Sequence, residues 1–255
     1  MSLDTFEKAL QEIATQSLAI QFFFQGEPFL NPELTTMLRK ASATKLYTIV
    51  STNGHFLEEN SAQIVASGLN KLIVSFDGMT KKTYQQYRQG GDYEKVKRGI
   101  IALLEEKEKQ QAKLPLIELQ FIVFEHNEHE IADFKKWCKK HKVKGMLKSA
   151  QIYHLNQNIV NPPKATRFSR YINTANKWVN KSQRSNSCRR LWTNPVICWD
   201  GSVAICCYDK DAQFKVGNIN NSQLADIWYN TTFQKIRTNI LNGKNTAHIC
   251  CNCAK

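Results

Sequence analysis

Cysteine is missing from the whole stretch before Cys138 in this 255-residue chain, so any thiol-ligated centre built from these residues uses the second half. No apolar run approaches the ~18 residues of a membrane helix, and the N-terminus lacks the basic stretch and apolar core of an export signal. These absences predict a cytoplasmic chain with no membrane span. In that reducing compartment cysteines hold metal more often than they form disulfides. Glycine and proline are sparse, 11 and 6, which argues against long disordered linkers. Acidic residues are outnumbered 22 to 35 by lysine and arginine, and the formal charge of +13 favours an anionic partner. The charge thickens at Lys135, Lys136, Lys139, Lys140, Lys142, Lys144 and Lys148. No RNP, helix-turn-helix or KH pattern accompanies these lysines, so they read as a solvated helix face and nucleic acid is not the expected partner.

What is present is an alternation of apolar runs and amphipathic stretches. Residues 2–16 read as a helix with Phe6, Leu10, Ile13 and Ala14 on one face. Strands are expected at 18–24, 46–50, 71–76 and 117–124, with a fifth within 145–153. Helices are expected at 32–42, 57–68, 80–88, 92–110 and 128–140. This succession predicts an α/β fold with a parallel sheet or barrel. Residues 156–187 are polar and unpatterned and read as a connection.

Polar motifs follow the strands. Gly26, Glu27 and Pro28 follow the first, where glycine permits close ligand approach and the carboxylate can accept hydrogen bonds from an ammonium group. Thr52, Asn53 and Gly54 follow the second. Ser75 and Asp77, two apart on the third, share a face and can meet hydroxyl groups. Each could be an ordinary turn residue; three sets in register on successive strands make a ligand site the better reading, because α/β folds bind ligands at such strand ends.

Seven of the eight cysteines lie between Cys188 and Cys253. Four thiolates including one Cys-x2-Cys pair suit tetrahedral zinc or an iron–sulfur cluster. The Asp200-Gly201 and Cys206-Cys207 context favours iron–sulfur, with Zn²⁺ as the alternative. His126 and His129 form an H-x2-H, but Asn127 as a helix cap with Glu130 completing a capping box leaves both histidines solvated. Trp192, Trp199 and Trp228 are expected to be core of the Cys-rich module. Without a strand before it, the Phe22-Phe23-Phe24 run is expected to be an exposed apolar edge.

In order and spacing, Gly26-Glu27-Pro28, Ser51-Thr52-Asn53-Gly54, Ser75-Phe76-Asp77-Gly78 and Tyr87-Arg88-Gln89-Gly90-Gly91 resemble the radical SAM family. Cys188, Gly201, Cys206, Cys250 and Cys253 resemble its SPASM/twitch extension. The resemblance implies an incomplete (β/α)6 partial barrel over residues 1–155, a connecting segment at 156–187 and an iron–sulfur module at 188–255. It implies that Gly26, Glu27 and Pro28 hold the amino group of S-adenosylmethionine. Ser75 would contact its ribose and Arg88 its carboxylate, with Asn53 and Asp77 lining the pocket. One auxiliary [4Fe–4S] cluster would sit on Cys188, Cys206, Cys250 and Cys253. Cys207 and Cys251 are the adjacent alternatives, since neighbours on a strand point to opposite faces.

The family's Cys-x3-Cys-x2-Cys loop does not occur in these residues, and no catalytic residue is assigned. The chain is therefore expected to be a fragment, a degenerate relative or half of a split enzyme completed by a peptide carrying the missing strand. Complete relatives act on a peptide or small-molecule substrate and draw electrons from a reductant protein. The competing class is a non-catalytic, zinc- or cluster-stabilised binding protein with an anionic partner.

Overall fold

The computed structural model describes residues 1–152, 161–175, 177–181, 188–243, 248–250 and 253. Its elements run α1 (Leu3–Ile13), β1 (Ala19–Gln21), α2 (Leu34–Ser42), β2 (Tyr47–Thr52), α3 (Leu57–Ala66), β3 (Lys71–Ser75), α4 (Lys81–Tyr87), α5 (Tyr93–Lys109), β4 (Leu116–Val123), α6 (Ile131–Lys140) and β5 (Lys144–Ser149). A hairpin of β6 (Tyr171–Thr174) and β7 (Lys177–Asn180) follows, then α7 (Arg190–Thr193), β8 (Val196–Ile197), β9 (Ser202–Ala204), β10 (Lys215–Asn218), α8 (Leu224–Tyr229) and α9 (Thr231–Leu241).

The fold is α/β. Strands β1 to β5 form one five-stranded parallel sheet in sequence order, a partial barrel, and a small module carries the C-terminal cysteines. Alternation along the strands sorts the sheet into two faces. Val50, Leu72, Val74, Leu119, Phe121 and Val123 pack under α2 to α6 against Leu38, Leu57, Ile64, Val96, Ile100, Leu103 and Phe134. The opposite face carries Ser51, Lys71, Ser75, Glu118, Gln120 and Lys148. Ile49, Ile73, Ile122 and Met146 alternate with them on the same face, which is thus mixed rather than a second core, and the strand ends of a crossover sheet are where this architecture places ligands.

Helix α1 joins the two parts. Phe6 and Leu10 pack on Met37, Ala41 and Leu46 of the barrel, while Ala9 belongs to the core of the C-terminal module. Thr5 Oγ1 donates to Asn220 Oδ1 at 3.2 Å, and Leu224 N donates to the Glu12 carboxylate. Its buried stripe is Thr5, Phe6, Ala9 and Leu10, displaced from the expected one because the helix has two neighbours.

Three other expectations are corrected. The first strand is only Ala19–Gln21: beyond it Phe22 turns to pack 5.6 Å from the Phe6 ring, and of the Phe run only Phe23 is clearly exposed. The polar stretch after 160 carries the β6–β7 hairpin. In the module, Trp192 and Trp199 are exposed, Trp199 by 77%. Leu191, Val203, Ile205, Ile219, Ile227 and Phe233 fill that core instead, with Trp228 packed edge-on to Phe233 at 4.9 Å and the Arg237 guanidinium 4.4 Å from the Trp228 ring.

On the polar face Glu118, 4% exposed, accepts from Lys71 Nζ at 2.9 Å and lies 2.8 Å from Lys144 Nζ. Desolvation raises its pKa, but the two lysines outweigh it and the net direction is down. A carboxyl lowered by folding adds stability that is present above its free value and lost as pH falls through its folded value. The stability gap between the native protein and Glu118→Gln should therefore shrink below about pH 4.3. Urea midpoints measured across that range check it, and a pH-independent gap would contradict it.

Candidate functional site at the strand ends

The chain turns at Gly26, at φ +81° and with open space around the position a Cβ would take. Beyond it Glu27 is clamped by backbone and hydroxyl donors. Its Oε1 accepts from Thr52 Oγ1 at 2.6 Å and Phe29 N at 3.2 Å, and its Oε2 accepts from Asn53 N at 2.7 Å. Pro28 opens the short helix Pro28–Leu30, capped by Glu27 itself. Thr52 is buried, and its hydroxyl also accepts from Gly54 N at 3.0 Å. Gly54, at φ +88°, admits no side chain, since a Cβ would fall 2.8 Å from Val96 Cγ1. The Asn53 amide oxygen accepts from His55 N and meets His55 Nδ1, both at 3.0 Å. His55 Nε2 accepts from Asp92 N at 2.8 Å, which leaves Nδ1 as the donor toward Asn53 and ties the β2 loop to the start of α5.

Ser75 ends β3 in a buried position, and among the described residues its hydroxyl has no hydrogen-bond partner. Asp77 behaves differently from a pocket-lining group. It is 0% exposed; Oδ1 accepts from Ile122 N at 2.6 Å, and Oδ2 accepts from Arg88 Nε at 2.7 Å and meets Nη2 at 2.6 Å. Burial pushes the Asp77 carboxyl up, opposed first by Arg88. Burial likewise lowers the Arg88 guanidinium, but Asp77 more than offsets this and its net direction is up.

Asn127 and Glu130 were not anticipated here. Asn127, fully buried, donates to the backbone carbonyls of Asp77 (3.0 Å) and Ile122 (2.9 Å) and accepts from Phe124 N (2.8 Å). Glu130 accepts from Met79 N at 2.7 Å and from the Thr83 hydroxyl. The expected capping box is absent because both side chains staple the β3 and β4 ends together. His126 is not solvated either: its ring stacks on Phe124 at 5.5 Å and desolvation lowers its pKa. The available signal was position alone, since Asn127 follows β4 as Asp77 follows β3.

In the module no disulfide joins the described cysteines. Cys188, Cys206 and Cys250 pack against the same apolar cluster, and Cys253 N donates to the Cys250 carbonyl at 3.3 Å. Among the described residues no three Cys, His, Asp or Glu side chains converge at ligating distance; Cys251 lies outside the described residues. Cys206 and Cys207 sit in the turn after β9 rather than on a strand, and Cys206 Sγ accepts from Tyr208 N at 3.4 Å. The neighbouring thiols act on each other, pushing Cys206 up and pulling Cys207 down to about 6, with burial opposing the fall and Arg190 Nη1, 2.9 Å from Cys207 Sγ, assisting it. Cys206 faces Cys188 and the apolar cluster, and Cys207 faces Arg190.

A family model of the radical SAM superfamily matches residues 1–144. The chain belongs to the radical SAM superfamily. A second family model, of the SPASM iron–sulfur cluster-binding domain, matches residues 188–254. Among curated proteins, the probable GTP 3',8-cyclase of Methanococcus vannielii is 31% identical over 116 residues, 45% of this chain and 37% of that protein. The corresponding protein of Halobacterium salinarum is 31% identical over 100 residues, 39% and 26% of the two chains. The match thus covers about a third of these relatives' length. Two solved structures share the fold. BtrN in complex with AdoMet and 2-DOIA aligns over 100% of this chain and 80% of its own, at TM-score 0.58 and 19% identity. Native anSMEcpe with bound AdoMet and Kp18Cys peptide aligns over 94% and 75%, at TM-score 0.62 and 17% identity.

The strand-end residues of this radical SAM chain fit S-adenosylmethionine: an open glycine turn, a carboxylate held ready for an ammonium group and a serine hydroxyl left without a partner among the described residues are the complement of an amino acid joined to a ribose. The SPASM thiols fit a cluster by donor chemistry, since soft thiolates select iron–sulfur or zinc.

Proposed function

We propose that the chain is a radical SAM/SPASM-type protein that binds S-adenosylmethionine at the C-terminal ends of β1 to β3. It holds one auxiliary [4Fe–4S] cluster on Cys188, Cys206, Cys250 and Cys253. The observation that carries the first part is Glu27, whose carboxylate is aimed by Thr52, Phe29 and Asn53. Glu27 binds the ammonium group, Gly26 and Pro28 shape its approach, Ser75 meets the ribose and Asn53 closes the side. Arg88 takes the carboxylate, and Asp77 serves by aiming Arg88 rather than by touching ligand. When bound and reduced, S-adenosylmethionine supplies the 5′-deoxyadenosyl radical with which this class abstracts substrate hydrogen.

These 255 residues contain no Cys-x3-Cys-x2-Cys. These residues by themselves are thus expected to form no 5′-deoxyadenosine; a Cys-x3-Cys-x2-Cys segment outside them, with a reductant protein, completes the reaction. The substrate is a peptide or small molecule. Binding of S-adenosylmethionine, followed by equilibrium dialysis, is expected to weaken about tenfold or more in Glu27→Gln, the scale of losing a hydrogen bond to a charged group. Unchanged binding would remove Glu27 from the site.

A further inference from the structure

The polar face of the sheet continues from Ser75 to a group of cations that the reading above does not use. Ser75 pairs in register with Gln120, whose Oε1 accepts from Lys148 Nζ at 3.0 Å. Met146 on β5 lies in line with Ser75 and Gln120, and Lys148 is two residues further on, which puts its backbone roughly 12 Å from that of Ser75 on the same face. Arg170 Nη1 donates to Gln151 Oε1 at 3.0 Å and to Tyr208 Oη at 3.2 Å. Arg190 lies 5.1 Å from the Tyr208 ring and donates to Cys207 Sγ. Lys148 and Arg170 are held by neutral partners and form no ion pair among the described residues, whereas Arg190 lies against the Cys207 thiol, whose pKa it helps to lower. The residues outside the description contain no Asp or Glu that could supply an ion pair. Elsewhere on this face Lys71 and Lys144 share one carboxylate, that of Glu118. Here desolvation, then Arg170, push the Lys148 ammonium down, Glu118 opposes them in part, and Lys71 and Arg190 add to the fall. Lys148 and Arg170, with no ion pair of their own, repel one another, and an anion between them reverses the sign of that energy.

We propose that Lys148 and Arg170, flanked by Arg190, form an oxyanion subsite beside the S-adenosylmethionine pocket, so that the substrate carries a phosphate or carboxylate group. The inference rests on the proposed function for its place in a reaction. Arg170 supplies a planar donor fork suited to either group, and Lys148 supplies a point charge on the side toward Ser75.

The test uses the full chain with its cluster reconstituted. Inorganic pyrophosphate and succinate are titrated separately by calorimetry, with S-adenosylmethionine titrated independently. Pyrophosphate binding points to a phosphate-bearing substrate and succinate binding to a carboxylate. Lys148→Gln and Arg170→Gln are each expected to weaken the bound probe at least about tenfold, Lys148→Arg to stay within about threefold, and Lys136→Gln on α6 to change nothing. Failure of both probes, or equal affinity in Lys148→Gln, overturns the subsite. Probe binding lost on cluster loading overturns it too, because the cations would then be the cluster's own counter-charge. Binding of S-adenosylmethionine without either probe sinks the subsite alone, whereas a probe bound without S-adenosylmethionine supports the subsite and sinks the reading of the neighbouring pocket.

Discussion

Anaerobic reconstitution with iron and sulfide is expected to give a brown protein with about four irons, the content of one cubane cluster, and Cys188→Ala or Cys253→Ala is expected to lose it. These two thiols enter from opposite ends of the module, one before α7 and one after α9, so the cluster closes a loop spanning the whole domain. Metal binding to such a site is folding energy. Loading should therefore raise the thermal midpoint of the module, and either alanine variant should forfeit the gain along with the visible absorbance. Cys206→Ala should behave like them, because its thiol lies toward Cys188 and the shared apolar cluster. Cys207→Ala should keep its iron, since that thiol is engaged by Arg190. Cys138 serves as an internal control: it is buried and its thiol is pushed up to about 11, so it supplies no thiolate and Cys138→Ala should leave iron content alone. Iron counts with absorbance spectra decide the matter. Stoichiometric zinc without visible absorbance would instead support the zinc-stabilised binding protein and remove the iron–sulfur assignment.

Much of the barrel was legible because its strands carry their own signal. Observed β2, β3 and β4 fall within two residues of the apolar runs that predicted them, for burial under helices forces Val, Ile, Leu and Phe onto one face of each. The positions of the strand-end residues were legible for a related reason, since they follow the apolar runs directly; what each does there was not, for Gly54 is required by Val96 beside it and Asp77 is taken up by Arg88 and Ile122. What the chain hid is cooperative. Asn127 and Glu130 look like a helix start in isolation, and only the adjacency of β3 and β4 turns them into a staple. Trp192 and Trp199 are apolar enough for a core, yet the module fills itself with aliphatic residues and Phe233 before reaching them. The Lys148 group was seen only as lysines on a solvated helix; that β5 turns the last of them onto the ligand face is a fact of register. Two cysteines adjacent in sequence were expected to point apart as strand neighbours; the chain has left the strand by then, and it is Arg190 beside Cys207 and the apolar cluster beside Cys206 that distinguish them.

Asp77→Ala should be among the most destabilising single substitutions in the barrel, and a double-mutant cycle with Arg88 separates its cause. The wild-type carboxylate ties three things together: the loop after β3, the Arg88 side chain at the end of α4, and the backbone of β4 through Ile122 N. Removing it strands a guanidinium whose side chain is 27% exposed and leaves the Ile122 amide without its acceptor. Breaking a buried pair from one side costs about 3–5 kcal/mol; the partial exposure of Arg88 puts the expectation at the low end, about 3 kcal/mol. Replacing Arg88 as well removes the stranded charge, so Asp77→Ala with Arg88→Met should cost less than the sum of the two single changes. Urea unfolding of the four proteins measures this, and simple additivity would show that the pair does not act as a unit. The same set distinguishes positioning from contact in the ligand site. If Asp77 acts only by aiming Arg88, adding Asp77→Ala to Arg88→Met should weaken S-adenosylmethionine no further than Arg88→Met alone, whereas an additional loss would place the Asp77 carboxylate against the ligand itself.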